Sequence, residues 1–255
     1  PNAIHYSQAL ACVRAGKHVL VEKPVCANQR QAAELFDEAT KHNVVALEAM
    51  RPLHDPALRQ IRDALPRLGT IRRTTLRFGK YSSRYTDVLA GRRTNIFDCG
   101  MASGALMDIG VYCVEACVAL FGAPDAVTCA PVLISGADTE RTGGGVDGAG
   151  TILARYPDKV VELSYSKISQ DLLPCQIEGE LGTARGGAPP ARSGGRGRPA
   201  PGRVQRGGRH GAPRVPRVRQ QHVLRAGRFH RLRARRARCR AVRGDHLHVA
   251  FDYGR

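Results

Sequence analysis

Two short apolar runs constrain this chain most: "HVLVE" at residues 18–22 and "VVALEA" at 44–49. Each follows a stretch whose apolar residues recur at helical spacing. The first, "IHYSQALACVRAGKH", has Gly16 where a helix stops. The second, "ANQRQAAELFDEATKH", puts Ala33, Phe36 and Ala39 on one face and charges on the other. Helix, strand, helix, strand with short connections predicts a parallel sheet covered by helices. The exit of a strand in such a sheet is where ligands bind. At the first exit the chain reads Glu22-Lys23-Pro24.

The rhythm changes after residue 54. "DPALRQIRDALPRLG" reads as a helix with Asp55 as N-cap and Pro56 at its first position. "TIRRTTLRFGKY" alternates, as a strand with one wet face does. Residues 81–103 read as a long polar loop with aromatics, and such loops are often functional. "GALMDIGVYCVEACVALFG" is a largely apolar helix ended by Gly122. Three strand-like runs follow, "AVTCAPVLIS", "GAGTILARYP" and "VVELSYSKIS", with "YPDK" as a hairpin turn; "PCQIEGELGT" begins a fourth. The expected fold is α/β. A partial Rossmann domain spans 1–54, and an α+β substrate domain with a mostly antiparallel open sheet spans 55–183. A low-complexity Arg/Gly/Pro-rich tail spans 184–255.

Composition matters because of that tail. The formal net charge is +18, which suggests a nucleic-acid or membrane binder until the charge is located. Residues 1–183 hold 20 Lys+Arg and 20 Asp+Glu, so they are neutral. The excess lies wholly in residues 184–255, where 20 arginines face only Asp245 and Asp252. Two readings remain open for the tail. "RGGRHG" and "GGRGRP" resemble RNA- or DNA-binding arms. A frameshifted reading of a GC-rich gene gives the same Arg, Gly, Ala and Pro without Lys or Glu, and is favoured. Either way, few apolar residues with high net charge predict disorder. The eight cysteines form no CxxC pair, which points to reduced thiols with no disulfide framework and no metal site. Cys113 and Cys117 read as buried small residues. The sequence shows no apolar run of transmembrane length and no signal segment, so the expected compartment is cytoplasmic, with no membrane partner.

"PNAIH", "AGKHVLVEKP", "ALEAM" and "GALMDIGVY", in that order and spacing, resemble the Gfo/Idh/MocA oxidoreductases. Tyr112 stands where many members have His, as in the dihydrodiol dehydrogenase-like branch. The resemblance covers residues 1–183. It implies an NAD- or NADP-dependent dehydrogenase acting on a sugar, polyol or diol, and a possible homodimer through the open sheet. It implies cofactor contacts from Pro1, Asn2, His5, Glu22, Lys23 and Pro24. It also places a second catalytic motif at Asp108 and Tyr112.

The residues themselves agree. A lysine in a partly desolvated cleft can lose its proton near neutrality and take the hydroxyl proton during hydride transfer. Pro24 biases Lys23 to an extended backbone. Asp108 and Tyr112 are four apart, so on a helix they share a face. Spacing alone leaves bland readings open: a surface Glu22-Lys23 pair, a packing role for Asp108 and Tyr112, and His5 as an ordinary helix-start residue. Arg51, Tyr81 and Tyr85 are weaker candidates for shaping a substrate pocket.

The family's phosphate-binding G-x-G-x-x-G is not found in a strand-to-helix context. Glycines of that spacing occur only in "RTGGGVDG". The expectation is therefore an N-terminally truncated sequence, impaired in NAD(P) binding, whose cofactor choice is not readable. The alternative function is nucleic-acid binding through the tail, non-specific and salt-dependent.

Overall fold

The computed structural model describes residues 1–134, 145–186 and 204–205. The tail readings concern residues that lie almost entirely outside these.

The first unit forms as its pattern requires. Helices α1 (Asn2–Arg14) and α2 (Gln29–Lys41) flank strands β1 (Val19–Val21) and β2 (Ala46–Glu48). The strands pair in parallel, Val19 opposite Ala46 and Val21 opposite Glu48. Gly16 takes a φ of +71° after α1, a region glycine enters at no steric cost. Asn28 caps α2 by accepting from the Gln31 N–H. Leu10, Val13, Val21, Leu35 and Ala39 fill the core between helices and sheet. One detail corrects the sequence reading. Ala33 is exposed and Phe36 is 37% exposed. The stripe that faces the core is Ala32, Leu35 and Ala39. Both stripes have helical spacing, and only contact with α1 and β1 chooses between them.

The second unit begins with α3 (Pro56–Ala64), capped by Asp55, whose side chain accepts the Ala57 N–H at 2.8 Å. Its sheet contains β3 (Ile71–Gly79), β4 (Ala126–Ile134), β5 (Val146–Arg155), β6 (Val160–Ser166), β7 (Cys175–Gly179), β8 (Gly182–Gly186) and β9 (Val204–Gln205). The strand order is β4-β5-β6-β3-β7-β8-β9. All pairings are antiparallel except β3 with β6. β3 is thus an interior strand, and Thr74, Thr75, Leu76 and Phe78 are buried along it. Of its arginines, Arg72 and Arg73 are exposed, while Arg77 is half-buried. β8 carries regular pairing to Gly186, a little beyond the predicted end at 183, because it hairpins back onto β7.

Two further expectations are corrected. Residues 83–89 of the predicted loop form helix α4 (Ser83–Leu89), capped by Ser82, whose hydroxyl accepts the Arg84 N–H. α4 buries no residue fully, so it lacks the apolar stripe that sequence reading needs. The apolar helix is also not uniform. Leu106–Gly110 is a π-turn that runs into α5 (Val111–Phe121), which stops at Gly122 with φ +78°. By length and composition the run Cys99–Phe121 is apolar enough to cross a membrane, contrary to expectation. Here Ala105, Ile109, Cys113, Ala116 and Cys117 pack against Leu76, Val161, Leu163 and Tyr165 of the sheet instead. The π-turn before α5 brings Asp108 to Lys23, just past β1.

Candidate active site

Lys23 stands two residues past β1, and the turn that follows it is held from two sides. Glu48, the last residue of β2, accepts the Val25 N–H at 2.8 Å. His5 Nδ1 of α1 pairs with the Pro24 carbonyl at 2.9 Å. The Lys23–Pro24 peptide bond is cis. Asn2, at the start of α1, donates from Nδ2 to the Ala102 carbonyl at 2.9 Å. One helix therefore anchors both the lysine turn and the segment leading to Asp108.

The lysine side chain, 14% exposed, reaches across to the second unit. Its Nζ donates to Asp108 Oδ1 at 3.0 Å and to the Asp108 main-chain carbonyl. It also lies 4.9 Å from the centre of the Tyr112 ring, a cation–π distance. Tyr112 is set edge-on to Phe78 of β3, with ring centroids 5.7 Å apart. The structure thus brings Lys23, Asp108 and Tyr112 together around one ammonium. A π-turn joined to an α-helix carries Asp108 and Tyr112, a distortion common at functional sites.

Two glycines explain the form of "SGALMDIG". Gly104 has φ +139°, and a Cβ there would fall 2.1 Å from Asp147 Oδ1. Asp147, from β5, accepts the Leu106 N–H through Oδ2 at 2.7 Å and so caps the helical run that holds Asp108. At Gly110 a Cβ would meet Tyr165 of β6 at 2.9 Å.

The other predicted residues are placed as follows. Pro24 is buried, while Glu22 and Pro1 are exposed. Arg51 opens a short 3-10 turn and is exposed. Tyr85 lies in α4, its ring 6.0 Å from Tyr81 and 5.9 Å from Phe97.

A further residue went unread in the sequence. Lys167 Nζ donates to Asp108 Oδ2, and its side chain is only 8% exposed. A signal was present. Val161, Leu163 and Tyr165 alternate inward along β6, and period two places Lys167 next on that face. Burial disfavours ionisation of Asp108. The bond from Lys167 and the charge of Lys23 outweigh it, and the carboxyl is held below the usual range. Three acids nearby move the other way. Burial raises Glu48, and burial with the Glu48 charge pushes Glu115 up to about 7. Burial also raises Asp147, partly offset by the Leu106 N–H.

Residues 1–49 match the oxidoreductase family with an NAD-binding Rossmann fold, and residues 58–185 match the GFO/IDH/MocA C-terminal domain. The chain belongs to the Gfo/Idh/MocA oxidoreductase family. Among curated members, it is 39% identical over 183 residues to the scyllo-inositol 2-dehydrogenase (NADP(+)) IolU of Bacillus subtilis, covering 72% of this chain and 53% of that protein. It is 31% identical over 160 residues to the trans-1,2-dihydrobenzene-1,2-diol dehydrogenase of Macaca fascicularis, covering 61% and 43%. The chain therefore spans about half the length of the curated relatives it matches. Among solved structures, the NAD binding oxidoreductase from Klebsiella pneumoniae shares the fold, with TM-score 0.63 at 22% identity over 74% of this chain and 52% of that one. KijD10, a 3-ketoreductase from Actinomadura kijaniata in complex with NADP and TDP-benzene, gives TM-score 0.62 at 26% identity over 72% and 54%.

Proposed function

We propose that this chain carries the acid/base site of an NAD(P)-dependent oxidoreductase acting on a hydroxyl, or the corresponding carbonyl, of a sugar, polyol or diol. The observation that carries the reading is the ion pair of Lys23 with Asp108 beside Tyr112, at the carboxyl end of a parallel strand. The relatives' names support the substrate class, naming an inositol in one and a cyclic diol in another.

The residues fit the nicotinamide end of such a cofactor. Lys23 lies where a doubly wound sheet offers that ring its place, and His5 and Glu48 hold the turn. No phosphate-binding turn is part of this fit, since Gly148 of the G-x-G-x-x-G spacing sits inside β5 rather than before a helix. The cofactor, when bound, supplies the hydride acceptor or donor. The protein's task is the proton. In oxidation, neutral Lys23 Nζ takes the hydroxyl proton as the carbonyl forms; in reduction it returns it. Asp108 orients Nζ, and the Tyr112 hydroxyl offers a second hydrogen bond to the substrate oxygen.

The test is a spectrophotometric assay with NAD+ and NADP+ against inositols, sugars and vicinal diols. Lys23→Ala is expected to lower turnover by about two to four orders of magnitude, the usual contribution of a positioned acid/base group. Unchanged turnover in that variant would remove the lysine from the reaction.

A further inference from the structure

We propose that Lys167 is a positioning residue for the acid/base step: its ammonium holds Asp108 Oδ2 and remains as that carboxylate's counter-charge while Lys23 is neutral. The inference rests on the role assigned to Lys23 above.

Charge balance sets the requirement. Lys23 can accept a substrate proton only when it is neutral. If Asp108 had Lys23 as its sole cation, that state would leave a largely buried carboxylate without a partner. An uncompensated buried charge is strongly disfavoured, so the pair alone would hold its proton on Lys23. A second ammonium changes this. With Lys167 on the other oxygen, Asp108 is paired in both states of Lys23, and the triad alternates between a net charge of +1 and zero.

The geometry suits the task. Lys167 follows β6 directly, and its backbone is pinned on both sides. Its N–H donates to the Gly148 carbonyl at 2.8 Å, and its carbonyl accepts the Ser82 N–H at 2.8 Å. The side chain is more enclosed than that of Lys23. Because the two lysines take different oxygens of one carboxylate, its rotation is blocked and Oδ1 stays directed at Lys23. Among the described residues, the ionisable groups packed near the triad include His5 from α1, Tyr112 and Glu115 from α5, Glu48 from β2, Asp147 from β5 and Tyr165 from β6. Of these, Asp147 is occupied with the Leu106 N–H and Glu48 with the Val25 N–H. Among the described residues, the ion pairs recorded for Asp108 are those with Lys23 and Lys167.

Nuclear magnetic resonance on the chain itself tests this without turnover, and the six lysines keep the spectrum simple. In the wild type, scalar couplings across hydrogen bonds should join the Asp108 carboxylate carbon to the Nζ of both lysines. Absence of the Lys167 coupling would overturn the proposal. Titration of the Asp108 carboxyl carbon gives the second readout. Lys167→Met keeps the aliphatic stem and removes the charge, so it should raise the Asp108 midpoint by about one unit or more. Lys167→Arg should restore the wild-type midpoint to within about half a unit, since it keeps the cation. A folded Met variant with an unmoved midpoint would mean that Lys167 only fills space, and would sink the idea. If the Met variant does not fold, the coupling and the Arg variant decide. An Arg variant that folds but leaves Asp108 titrating well above the wild type would also refute it. Failure here leaves the role of Lys23 standing, because Lys23→Ala kinetics test that separately.

Discussion

Replacing Gly104 by Ala is the sharpest test of how the site is built. Two costs can be worked out. An L-residue held at φ +139° carries backbone strain of roughly 1–3 kcal/mol. The new Cβ would lie 2.1 Å from Asp147 Oδ1, so Asp147 must move and release the Leu106 N–H it holds at 2.7 Å. Losing a hydrogen bond to a charged acceptor costs about 1.5–3 kcal/mol. The expected loss is about 2.5–6 kcal/mol, a large fraction of the roughly 5–15 kcal/mol that stabilises a typical domain. Urea unfolding followed by far-ultraviolet circular dichroism measures it, with the midpoint falling by about 1–3 M for a slope of about 2 kcal/mol per M. Asp147→Ala supplies the control. In the double variant the collision is gone, so the combined loss should fall short of the sum by about 1.5–3 kcal/mol. A loss under about 1 kcal/mol in Gly104→Ala, or strict additivity in the double variant, would refute the account.

Other perturbations give distinct outcomes. Tyr112→Phe removes one hydroxyl and almost no volume, so the melting midpoint should hold while turnover falls by about tenfold or more. Glu48→Ala leaves the Val25 N–H without its acceptor and should cost about 1–3 kcal/mol in urea unfolding. Glu115 binds its proton more tightly folded, up to about 7, than unfolded. Its contribution is therefore present in full at acid pH and is lost as pH rises from the ordinary glutamate range through about 7. Glu115→Gln should accordingly match the wild type near pH 3 and exceed it by about 2–3 kcal/mol near pH 8, read from unfolding curves at both pH values.

The parts of the site that a sequence shows are those with local signatures. Lys23 follows an apolar strand directly, and Asp108 with Tyr112 lies at one helical spacing. Their meeting at one ammonium depends on helix α1, whose Asn2 and His5 tie the two segments together over long sequence separations. No local pattern encodes that. Helix α4 escaped because its residues bury no apolar stripe. The π-turn escaped because its residues have the same apolar spacing as an α-helix. Lys167 was legible in principle, as the next inward position of β6. A charge at the end of an apolar alternation is ordinarily read as the strand's exit to water, and only the third dimension shows Asp108 waiting there.

The place of β3 in its sheet has a consequence for how the chain folds. Its neighbours, β6 and β7, come from far along the chain: Arg73 pairs with Val160 on one side and with Glu178 on the other. During synthesis at about 5–20 residues per second, β3 waits roughly 5–20 seconds before either neighbour exists. Closing so long a loop must precede any reward from the pairing, which makes non-local strand pairing intrinsically slow. Lys167 follows β6 directly, so the ammonium that completes the Asp108 cluster is delivered only when that long loop has closed. A nascent chain can thus form the β1–β2 unit, with Lys23 in place, well before it has a working site.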